Sequence, residues 1–464
     1  MISEEYGVIS KQGEVLKKIN EIIGKPLPRL DERGIPAFGV KIDDENVVSL
    51  WLERCDLVKF PEPILKLDTL KELYLNYNKL TTLPDSFDNL KSLVKLNLRW
   101  NFLNQLPKTF GNLALLEELE LDTNKLTTLP ESVGNLNSLQ ELILRNNQFE
   151  TLPESFSNLK SIKVLYLSKN KIKIFPEPVC NLKSLEGLYL DHNNLSSLPS
   201  TIGNLSSLQI LSLAGNNLET LPEDILKPLF NLKALQVLDF SHNRLKTLPK
   251  AIGDLPNLTV LRLRDNQLKE LPESFGKLKS LQSLDISKNK FKELPEPILK
   301  LSNLERLYAE NNEIARLPES FGNLSSLQQL YFESNQIKEL PKSFGNLNML
   351  QQIFLVDNQL LTLPASIGNI KSLRILDLRN NQLTSLPNSI GNLQSLEELD
   401  LRHNEFITIP TIIRKLKNVR QYFLKLEGNP FNIQSARMIS KDVKSIREFL
   451  KMKEKLNGIM KKSK

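Results

Sequence analysis

An α/β solenoid built from one repeated unit is the fold class that this sequence predicts, on three observations. A 23-residue unit fills residues 47–434, and LKELYLNYNKLTTLPDSFDNLKS (70–92) is one copy of it. Each unit alternates leucines over a short segment, places one Asn after that segment, and places one Pro six residues after the Asn. Because a unit of this length cannot bury its leucine face alone, neighbouring units must stack around one continuous core.

The alternating leucines predict one short β-strand per unit. Successive residues of a strand face opposite sides, so the leucines face the core and the variable residues between them line the other face. Stacking then pairs these strands into a parallel sheet on the concave face of a horseshoe-shaped solenoid. The seventeen strands that the repeats predict would extend over roughly 80 Å, which exceeds what one ordinary protein interface needs.

The Asn after each strand is expected to hold the turns together. A short amide can donate and accept hydrogen bonds, so it can pair the loop backbone groups that the sheet leaves unpaired. The position is held by Asn78, Asn101, Asn124, Asn147, Asn170, Asn193, Asn216, Asn243, Asn266, Asn289, Asn312, Asn335, Asn358, Asn381, Asn404 and Asn429. Cys55 takes the same position one period before Asn78, where its thiol can act as a weak donor, and completes seventeen turns.

The Pro and the residues after it predict short helical turns on the convex face. Proline has no N–H and a fixed φ, so it excludes a further strand, and seven or eight residues are too few for a long helix. A slot three residues after the Pro is often Phe, and we expect these rings to form a buried spine. They are Phe87, Phe110, Phe156, Phe275, Phe321 and Phe344.

The two ends of the chain depart from the repeat, and we expect them to cap the ends of the solenoid. The chain then has three segments: an N-terminal cap (1–46), the repeats (47–434) and a basic C-terminal cap (435–464). Apolar residues at helical spacing predict a helix over 14–23, and two alternating runs around DDEN (43–46) predict a hairpin whose second strand is the first repeat strand. That hairpin would cover the exposed sheet edge. Residues 440–460 predict a basic capping helix. About four extra residues near 227–230 indicate either a bulge or a change in curvature.

Composition and charge exclude several function classes. The chain has 61 Lys and Arg against 54 Asp and Glu, but residues 435–464 hold ten basic and three acidic residues, so the remaining chain is neutral. A neutral body argues against nucleic-acid binding. No apolar run approaches a membrane span, the first residues lack a signal pattern, and two cysteines are too few for disulfide caps. A cytoplasmic protein is the expectation.

No catalytic apparatus is visible in the sequence. There is no phosphate-binding loop, and Cys180 falls in an outer turn without a partner base. The three histidines, His192, His242 and His403, each precede an Asn of the repeat and lie at least two units apart, too far to share a metal ion. We expect neither an enzyme nor a cofactor or metal site.

The variable strand positions carry the residues predicted to bind a partner. Both tryptophans and six of the eight tyrosines fall there. The predicted site is Trp51, Tyr74, Tyr77, Arg99, Trp100, Glu118, Glu120, Asp122, Tyr166, Tyr189, Tyr308, Tyr331 and Phe354, with Glu141 adding to the densest acidic patch. Aromatic side chains flanked by charge are typical of interface hot spots, although aromatic residues also favour pleated surfaces for packing alone. An acidic, aromatic groove suits a protein partner with basic features.

With its 23-residue period and its L-P-x-x-[FI]-G-N-L segment, the region 47–434 resembles the Ras-group of intracellular leucine-rich repeat proteins. That group includes Scribble, Erbin and the Ras-suppressor proteins. The resemblance implies a leucine-rich repeat solenoid and a non-catalytic adaptor that binds signalling proteins, such as small GTPases or phosphatases, through its concave face. The Leu, Asn and Pro positions of this chain match the family's repeat pattern. The residues by which family members contact their partners lie at variable positions and cannot be assigned here, and the chain has no [RK]-x-[VI]-x-[FW] phosphatase-docking motif.

Two functions therefore remain open at this stage. The first is an intracellular scaffold that binds signalling partners, including a small GTPase, through the concave face. The alternative is a sensor or effector at a membrane surface that docks through the basic C-terminal helix. The sequence leaves the oligomeric state open.

Overall fold

The computed structural model describes residues 2–3, 6–30, 37–221, 232–419, 423–439, 444–446 and 448–452. These residues form two compact units, Met1–Asp239 and Phe240–Lys464. Each unit stacks turns that contain one short parallel strand and one short 3-10 helix. The predicted fold class, a leucine-rich repeat solenoid with a parallel sheet and short helical turns, is confirmed.

The first unit contains one small antiparallel pair and one larger sheet. The pair joins β1 (Ile2–Ser3) and β2 (Val8–Ile9). The larger sheet contains β3 (Phe38–Asp43), β4 (Asn46–Leu52), β5 (Glu72–Tyr74), β6 (Lys95–Asn97), β7 (Glu118–Glu120), β8 (Glu141–Ile143), β9 (Val164–Tyr166), β10 (Gly187–Tyr189), β11 (Ile210–Ser212) and β12 (Val237–Asp239). Strand β3 is antiparallel to β4, and every later strand pairs in parallel with its predecessor.

The second unit repeats the parallel arrangement. Its strands are β13 (Val260–Arg262), β14 (Ser283–Asp285), β15 (Arg306–Tyr308), β16 (Gln329–Tyr331), β17 (Gln352–Phe354), β18 (Ile375–Asp377), β19 (Glu398–Asp400) and β20 (Leu424–Lys425). Equivalent residues of neighbouring strands are aligned, as in the pairs Leu307 with Leu330 and Tyr308 with Tyr331. The middle leucines of the strands are fully buried, so the core lies on one side of the sheet.

A 3-10 helix follows most of the prolines. These helices are Glu62–Lys66, Asp85–Asn89, Phe110–Asn112, Glu131–Asn135, Glu154–Asn158, Glu177–Asn181, Ser200–Asn204, Lys250–Asp254, Glu273–Lys277, Glu296–Lys300, Glu319–Asn323, Lys342–Asn346, Ala365–Asn369, Asn388–Asn392 and Thr411–Lys415. In a typical turn the Pro84 carbonyl accepts a hydrogen bond from the Phe87 N–H at 3.0 Å, which turns the ring toward the core. All six rings of the predicted Phe spine are fully buried, and Phe321 stacks on Phe344 at 5.5 Å.

The repeated Asn holds each turn to the turn before it, as predicted. We call this series of Asn residues, together with Cys55 at its start, the ladder, and each of its positions a ladder position. Asn147 is representative: its Oδ1 accepts a hydrogen bond from the Leu126 N–H at 3.0 Å, and its Nδ2 donates to Leu121 O at 2.9 Å and to Leu144 O at 3.2 Å. The side chain therefore satisfies three buried backbone groups. At the start of this ladder Cys55 Sγ donates to Glu53 O at 3.5 Å, which agrees with its predicted role as a weak donor.

The residue before each ladder position adopts a left-handed conformation, which the sequence analysis treats as an ordinary strand position. Its φ is 56° at Tyr77 and 54° at Trp100, and Gly215 holds the same slot at 67°. Asn, Asp and His tolerate this conformation better than most residues, and Gly tolerates it freely. This explains why His192, His242 and His403 all occupy the slot, with φ of 53°, 55° and 53°.

A helix and a hairpin close the start of the first unit. Helix α1 spans Ser10–Ile23, so it begins four residues before the apolar pattern at 14–23. Its buried Gln12 accepts a hydrogen bond from the Val47 N–H at 2.7 Å and donates to Thr69 Oγ1 at 3.0 Å, which fixes the helix against β4 and the following turn. Strand β3 covers the free edge of β4.

The end of the second unit is helical. Helix α2 spans Ile433–Ile439, and residues 444–446 and 448–452 are also helical. Ile446 and Leu450 of the predicted 440–460 helix are buried. Residues 440–443, 447 and 453–460 of that predicted helix, and the inserted segment 227–230, lie outside the described residues.

Replacing one ladder residue, Asn147→Ala, tests the dependence of the fold on this position. The change leaves the Leu126 N–H buried without a partner. It also removes one hydrogen bond each from Leu121 O and Leu144 O, which keep the one from the neighbouring Asn of the repeat. We expect the free energy of unfolding to fall by about 2–4 kcal/mol, measured by urea denaturation monitored by circular dichroism.

The matched control is Asn137→Ala in the same turn. Asn137 is exposed, so its replacement should change the free energy of unfolding by less than about 0.5 kcal/mol. Equal losses in the two variants would contradict the role of the ladder.

Candidate functional site

The candidate site is the face of the sheet opposite the core, which we call the open face. In each strand the residues on either side of the buried leucine lie on this face. The second of these residues is aligned from strand to strand, and we call the resulting row of side chains the ring column. It holds Trp51, Tyr74, Tyr166, Tyr189, Tyr308, Tyr331 and Phe354. The residue two positions later lies in the flanking column, which holds Arg99, Asp122, Glu310 and Glu333. Most of the predicted site residues are half-buried here.

Two ring pairs form the first aromatic cluster, in the first unit. Trp51 stacks on Tyr74 with ring centroids 5.5 Å apart, and Tyr77 stacks on Trp100 at 5.4 Å. Trp100 is 48% exposed and is therefore the aromatic residue of the predicted site most available to a partner. Phe102, which the sequence analysis did not select, is 45% exposed and lies beneath Lys125 Nζ at 4.8 Å from the ring centroid.

The expectation that Trp51 is an exposed aromatic residue is wrong. Its side chain is 8% exposed, because it lies between Tyr74 on β5 and Gly39, its partner on β3. Gly39 has φ 142°, and a Cβ there would lie 2.6 Å from Leu30 Cδ1, so the segment before the hairpin packs closely against β3. The hairpin itself is predicted from the sequence as a cover for the sheet edge, but the alternating pattern does not show which residue of β3 lies beside the Trp51 ring.

Two arginines of the chain itself lie over one ring of the first aromatic cluster, Tyr77. The guanidinium groups of Arg54 and Arg99 lie 4.7 Å and 5.3 Å from the Tyr77 ring centroid, and Arg99 Nη2 donates to Tyr77 Oη at 3.0 Å. Burial and the nearby carboxylates of Glu72 and Glu118 raise the pKa of Tyr74 to about 12. The tyrosine therefore stays neutral throughout the physiological range.

The predicted acidic patch lies beside this cluster, and its carboxylates have partners in the chain. Glu118 Oε1 is 2.7 Å from Lys95 Nζ, and Glu120 Oε2 accepts a hydrogen bond from Asn97 Nδ2 at 2.8 Å. Burial raises the pKa of Glu120 and of Asp122, and the charge of Arg99 opposes that rise in both. The patch is thus largely neutralised from within.

The second aromatic cluster is the pair Tyr166 and Tyr189 on β9 and β10. Their ring centroids lie 4.5 Å apart, and the Arg145 guanidinium lies 3.9 Å from the Tyr166 centroid. In the flanking column Asp191 accepts a hydrogen bond from Ser168 Oγ at 2.9 Å. Here too the rings carry a cation of the same chain.

The third aromatic cluster, which we call the ring ladder, lies in the second unit. Tyr308, Tyr331 and Phe354 stack on β15, β16 and β17 with centroids 4.6 Å and 4.9 Å apart. The three-ring column that the sequence spacing predicts is therefore a continuous stack. All three rings are half-buried, so one side of the ladder faces solvent.

Two carboxylates beside the ring ladder escaped the sequence analysis. Glu310 and Glu333 occupy the flanking column of neighbouring strands, and Oε2 of each is buried without a hydrogen-bond partner. Burial, with added repulsion from Glu310 and Asp377, raises the pKa of Glu333 to about 7, and burial likewise raises the pKa of Glu310. Their only sequence signal is that two acidic residues follow tyrosines by two positions in adjacent units.

Acidic residues farther along the same unit are paired, in contrast. Asp400 Oδ2 lies 2.6 Å from Arg402 Nη2, and Asp377 Oδ2 lies 2.8 Å from Arg379 Nη2. Lys425 Nζ adds a contact of 2.6 Å to Glu398. This network stabilises the end of the sheet and leaves no uncompensated charge.

Other features of the described residues do not form a competing site. A shallow cavity of about 950 Å³ is lined by Lys269, Glu270, Lys290, Lys292, Glu293 and Glu313, at the loops that precede the 3-10 helices rather than on the open face. Within the described ranges no three His, Cys, Asp or Glu side chains cluster as metal ligands. None of the helices in this part of the chain is long and apolar enough to cross a membrane.

The solenoid and its open face define a class of repeat protein, and sequence comparison agrees with that class. A leucine-rich repeat region model matches residues 119–194, 225–335 and 330–456. Two further leucine-rich repeat models match residues 45–103, and residues 184–205 and 207–229. The chain therefore belongs to the leucine-rich repeat family. No curated protein matches it.

Solved structures with the same fold include binding proteins. A leucine-rich repeat protein of Leptospira interrogans is 36% identical, with a TM-score of 0.76, over 85% of this chain and 97% of that one. The Arabidopsis receptor kinase HAESA, in complex with the peptide hormone IDA and the co-receptor SERK1, is 28% identical, with a TM-score of 0.65, over 91% and 72%. The plant peptide hormone receptor RGFR1, in complex with RGF2, is 26% identical, with a TM-score of 0.61, over 86% and 72%.

The fold is thus typical of protein–protein interaction domains, which are generally non-catalytic binding modules. Repeat proteins of this type present an extended surface on which variable side chains, rather than the frame, recognise the partner. In this chain the variable side chains of the strands lie on the open face.

The raised pKa of Glu333 predicts how stability depends on pH. Because the folded pKa, about 7, lies above the ordinary value for Glu, the stability linked to protonated Glu333 is present at low pH and is lost as pH rises through 7. The Glu333→Gln variant cannot ionise. We expect it to be more stable than the unmodified protein at pH 8 by about 1 kcal/mol, after allowance for solvent screening, and nearly equal at pH 4.

Urea denaturation at pH 4, 6 and 8 measures this difference. The control is Glu339→Gln, because Glu339 is exposed in the loop before the Lys342–Asn346 helix. A difference between Glu333→Gln and the unmodified protein that does not vary with pH would contradict the raised pKa.

Proposed function

We propose that this protein is a non-catalytic intracellular scaffold that binds protein partners through the open face of its sheet. The observation that carries the proposal is the set of three stacked aromatic clusters on that face, each flanked by charged side chains. Aromatic anchors surrounded by polar groups dominate the binding energy of protein interfaces. Two of the clusters lie in the first unit and one in the second, which supports more than one partner.

The partner class follows from charge and from the family. The acidic residues Glu310 and Glu333 of the open face, which have no ion pair among the described residues, favour a basic protein surface and disfavour nucleic acid. The resemblance to Ras-group proteins supports a signalling partner, with a small GTPase as the specific candidate. The peptide hormones in the HAESA and RGFR1 complexes support recognition of extended segments by this fold.

An intracellular location is part of the proposal and rests on the cysteines. Cys55 and Cys180 are both free, and burial raises the pKa of the Cys180 thiol to about 11. A buried, protonated thiol is inert toward metals and disulfide exchange. Secreted repeat domains more often use cysteines in disulfides.

The described part of the C-terminal segment bears on the alternative of docking at a membrane surface. Ile446 and Leu450 are 3% and 0% exposed, so they pack against the solenoid. An amphipathic helix that binds a membrane needs its apolar face free. This burial favours a capping role for the segment over membrane docking.

Single replacements in each aromatic cluster test the scaffold proposal. The variants are Trp100→Ala, Tyr189→Ala and Tyr331→Ala, with Ile174→Ala as control because Ile174 is 80% exposed in a loop away from the open face. We expect at least one cluster variant to lower capture of a partner from source-cell lysate at least tenfold. Trp100→Ala and Tyr189→Ala should each lose about 1 kcal/mol of stability, the value of one stacked pair, and Tyr331→Ala about 2 kcal/mol, because Tyr331 stacks on two rings.

Capture with and without a non-hydrolysable GTP analogue tests the GTPase candidate. A GTPase that is captured only with the analogue, and is lost in a cluster variant, supports the Ras-group assignment. Capture that none of the three variants changes contradicts binding through the open face.

Trp51→Ala is unsuitable here, because removing this buried ring should cost about 3 kcal/mol of stability and would reduce capture by unfolding.

A further inference from the structure

One turn of the first unit carries aromatic residues at two positions that the repeat otherwise gives to other residue types. Phe102 follows the ladder position Asn101, and at every other ladder position up to Asn404 the following residue is polar. Trp100 precedes Asn101, in a row where Tyr77 is the only other tyrosine or tryptophan. Because every turn offers the same backbone environment at these positions, packing of the solenoid does not require large rings there. We call Tyr77, Trp100 and Phe102 the aromatic edge.

The backbone of the aromatic edge is strained at two residues. The φ angle is 56° at Tyr77 and 54° at Trp100, a left-handed conformation that costs more for a bulky side chain than for Asn, Asp, His or Gly. Asn146 holds the position of Trp100 two turns later, also at 54°. Strain of this kind is concentrated at binding sites, where the surrounding structure maintains it. The chain thus keeps two large rings where a small polar residue would be more favourable.

The aromatic edge leaves ring surface open to solvent. Trp100 is 48% exposed, and Phe102 is 45% exposed. One face of Trp100 stacks on Tyr77 with centroids 5.4 Å apart, and no other ring or cation lies over the indole within the described residues. The following turn holds Thr123 at the position of Trp100, and that side chain is too short to cover an indole. The second face of Trp100 is therefore available to a partner.

A lysine without an ion-pair partner lies beside the aromatic edge. Lys125 Nζ is 4.8 Å from the Phe102 ring centroid, and no carboxylate lies within ion-pair distance of it in the ranges that the structure describes. Three other cations near the edge each have a carboxylate of the chain within 4.0 Å, namely Arg54, Lys79 and Arg99. Among these four cations, Lys125 is the one whose charge the described residues leave unpaired.

Building on the proposed protein-binding function, we propose that the aromatic edge docks a segment of a partner protein in which a large apolar side chain lies next to an acidic residue. The apolar side chain would pack on the free face of Trp100 and against Phe102, and the carboxylate would pair with Lys125. This partner differs from the basic one that Glu310 and Glu333 favour, because the aromatic edge lies in the first unit and those carboxylates lie in the second.

An acidic segment suits the aromatic edge better than a basic one. The free face of Trp100 could attract a cation, but the charges of Arg99 and Lys125 nearby would repel it. Glu120 and Asp122, on the strand and turn that follow, are half-buried, and the charge of Arg99 already acts on both. A carboxylate at Lys125 therefore gains a counterion, while the rings beside it shield the contact from water.

The test uses random dodecapeptides displayed on phage and selected on the full-length protein. We expect selected peptides in which Trp, Phe or Leu lies within two positions of Asp or Glu. Synthetic copies should bind at least about tenfold more weakly to the Trp100→Asn/Phe102→Gln double variant. This variant should fold with a urea midpoint close to that of the unmodified protein, because Asn146 and Gln148 occupy the same two positions two turns later.

The variant Lys125→Gln isolates the charged part of the interaction. Replacing the acidic residue of a peptide by its amide should lower its affinity for the unmodified protein about two- to fivefold, and should not lower its affinity for Lys125→Gln. Lys125→Arg should retain binding. The control is Gln336→Ala, because Gln336 is exposed at the Phe102 position of a turn in the second unit, and it should bind the peptides unchanged.

Selected peptides that lack acidic residues, or that bind the double variant as well as the unmodified protein, overturn the proposal for the aromatic edge. If such peptides lose binding to Tyr189→Ala or Tyr331→Ala, the proposed scaffold function stands. Peptides that depend on none of the three aromatic clusters contradict both.

Discussion

The hydrogen bonds of the ladder Asn are the interaction on which the rest of the structure depends. Strands β5 to β19 each end after three residues, and the chain must then turn out of the sheet with backbone groups unpaired. One amide accepts a hydrogen bond from the previous turn and donates to two carbonyls, so it satisfies these groups within the core. Because the partners are all backbone atoms, the ladder places no demand on the side chains of the open face.

That freedom is used unevenly along the open face. The first and second aromatic clusters carry their own arginines, and the acidic patch around Glu118 has its own partners. The ring ladder with Glu310 and Glu333 does not. A buried carboxylate without a counterion destabilises the free protein, and such groups are concentrated at sites where a ligand supplies what is missing.

The candidate site was predictable in part. The ring ladder followed from spacing, because a constant period puts residues one unit apart into register on neighbouring strands. The burial of Trp51 did not follow, since its cover, Gly39, belongs to a strand outside the repeat. The left-handed backbone conformation at Tyr77 and Trp100 did not follow from the sequence either. Asn, Asp, His and Gly at the equivalent position of other turns favour a positive φ, whereas aromatic residues do not.

The sequence by itself determined the strand, the ladder Asn, the proline and the Phe spine of each turn, because a repeated unit meets the same environment at every copy. It also determined that aromatic residues share one face. Only the tertiary structure decided which side chains of that face have an ion-pair or hydrogen-bond partner within the chain. Whether Glu118 or Glu333 has a counterion depends on the residue that the adjacent turn presents at contact distance, and a charge count along the chain contains no such distances.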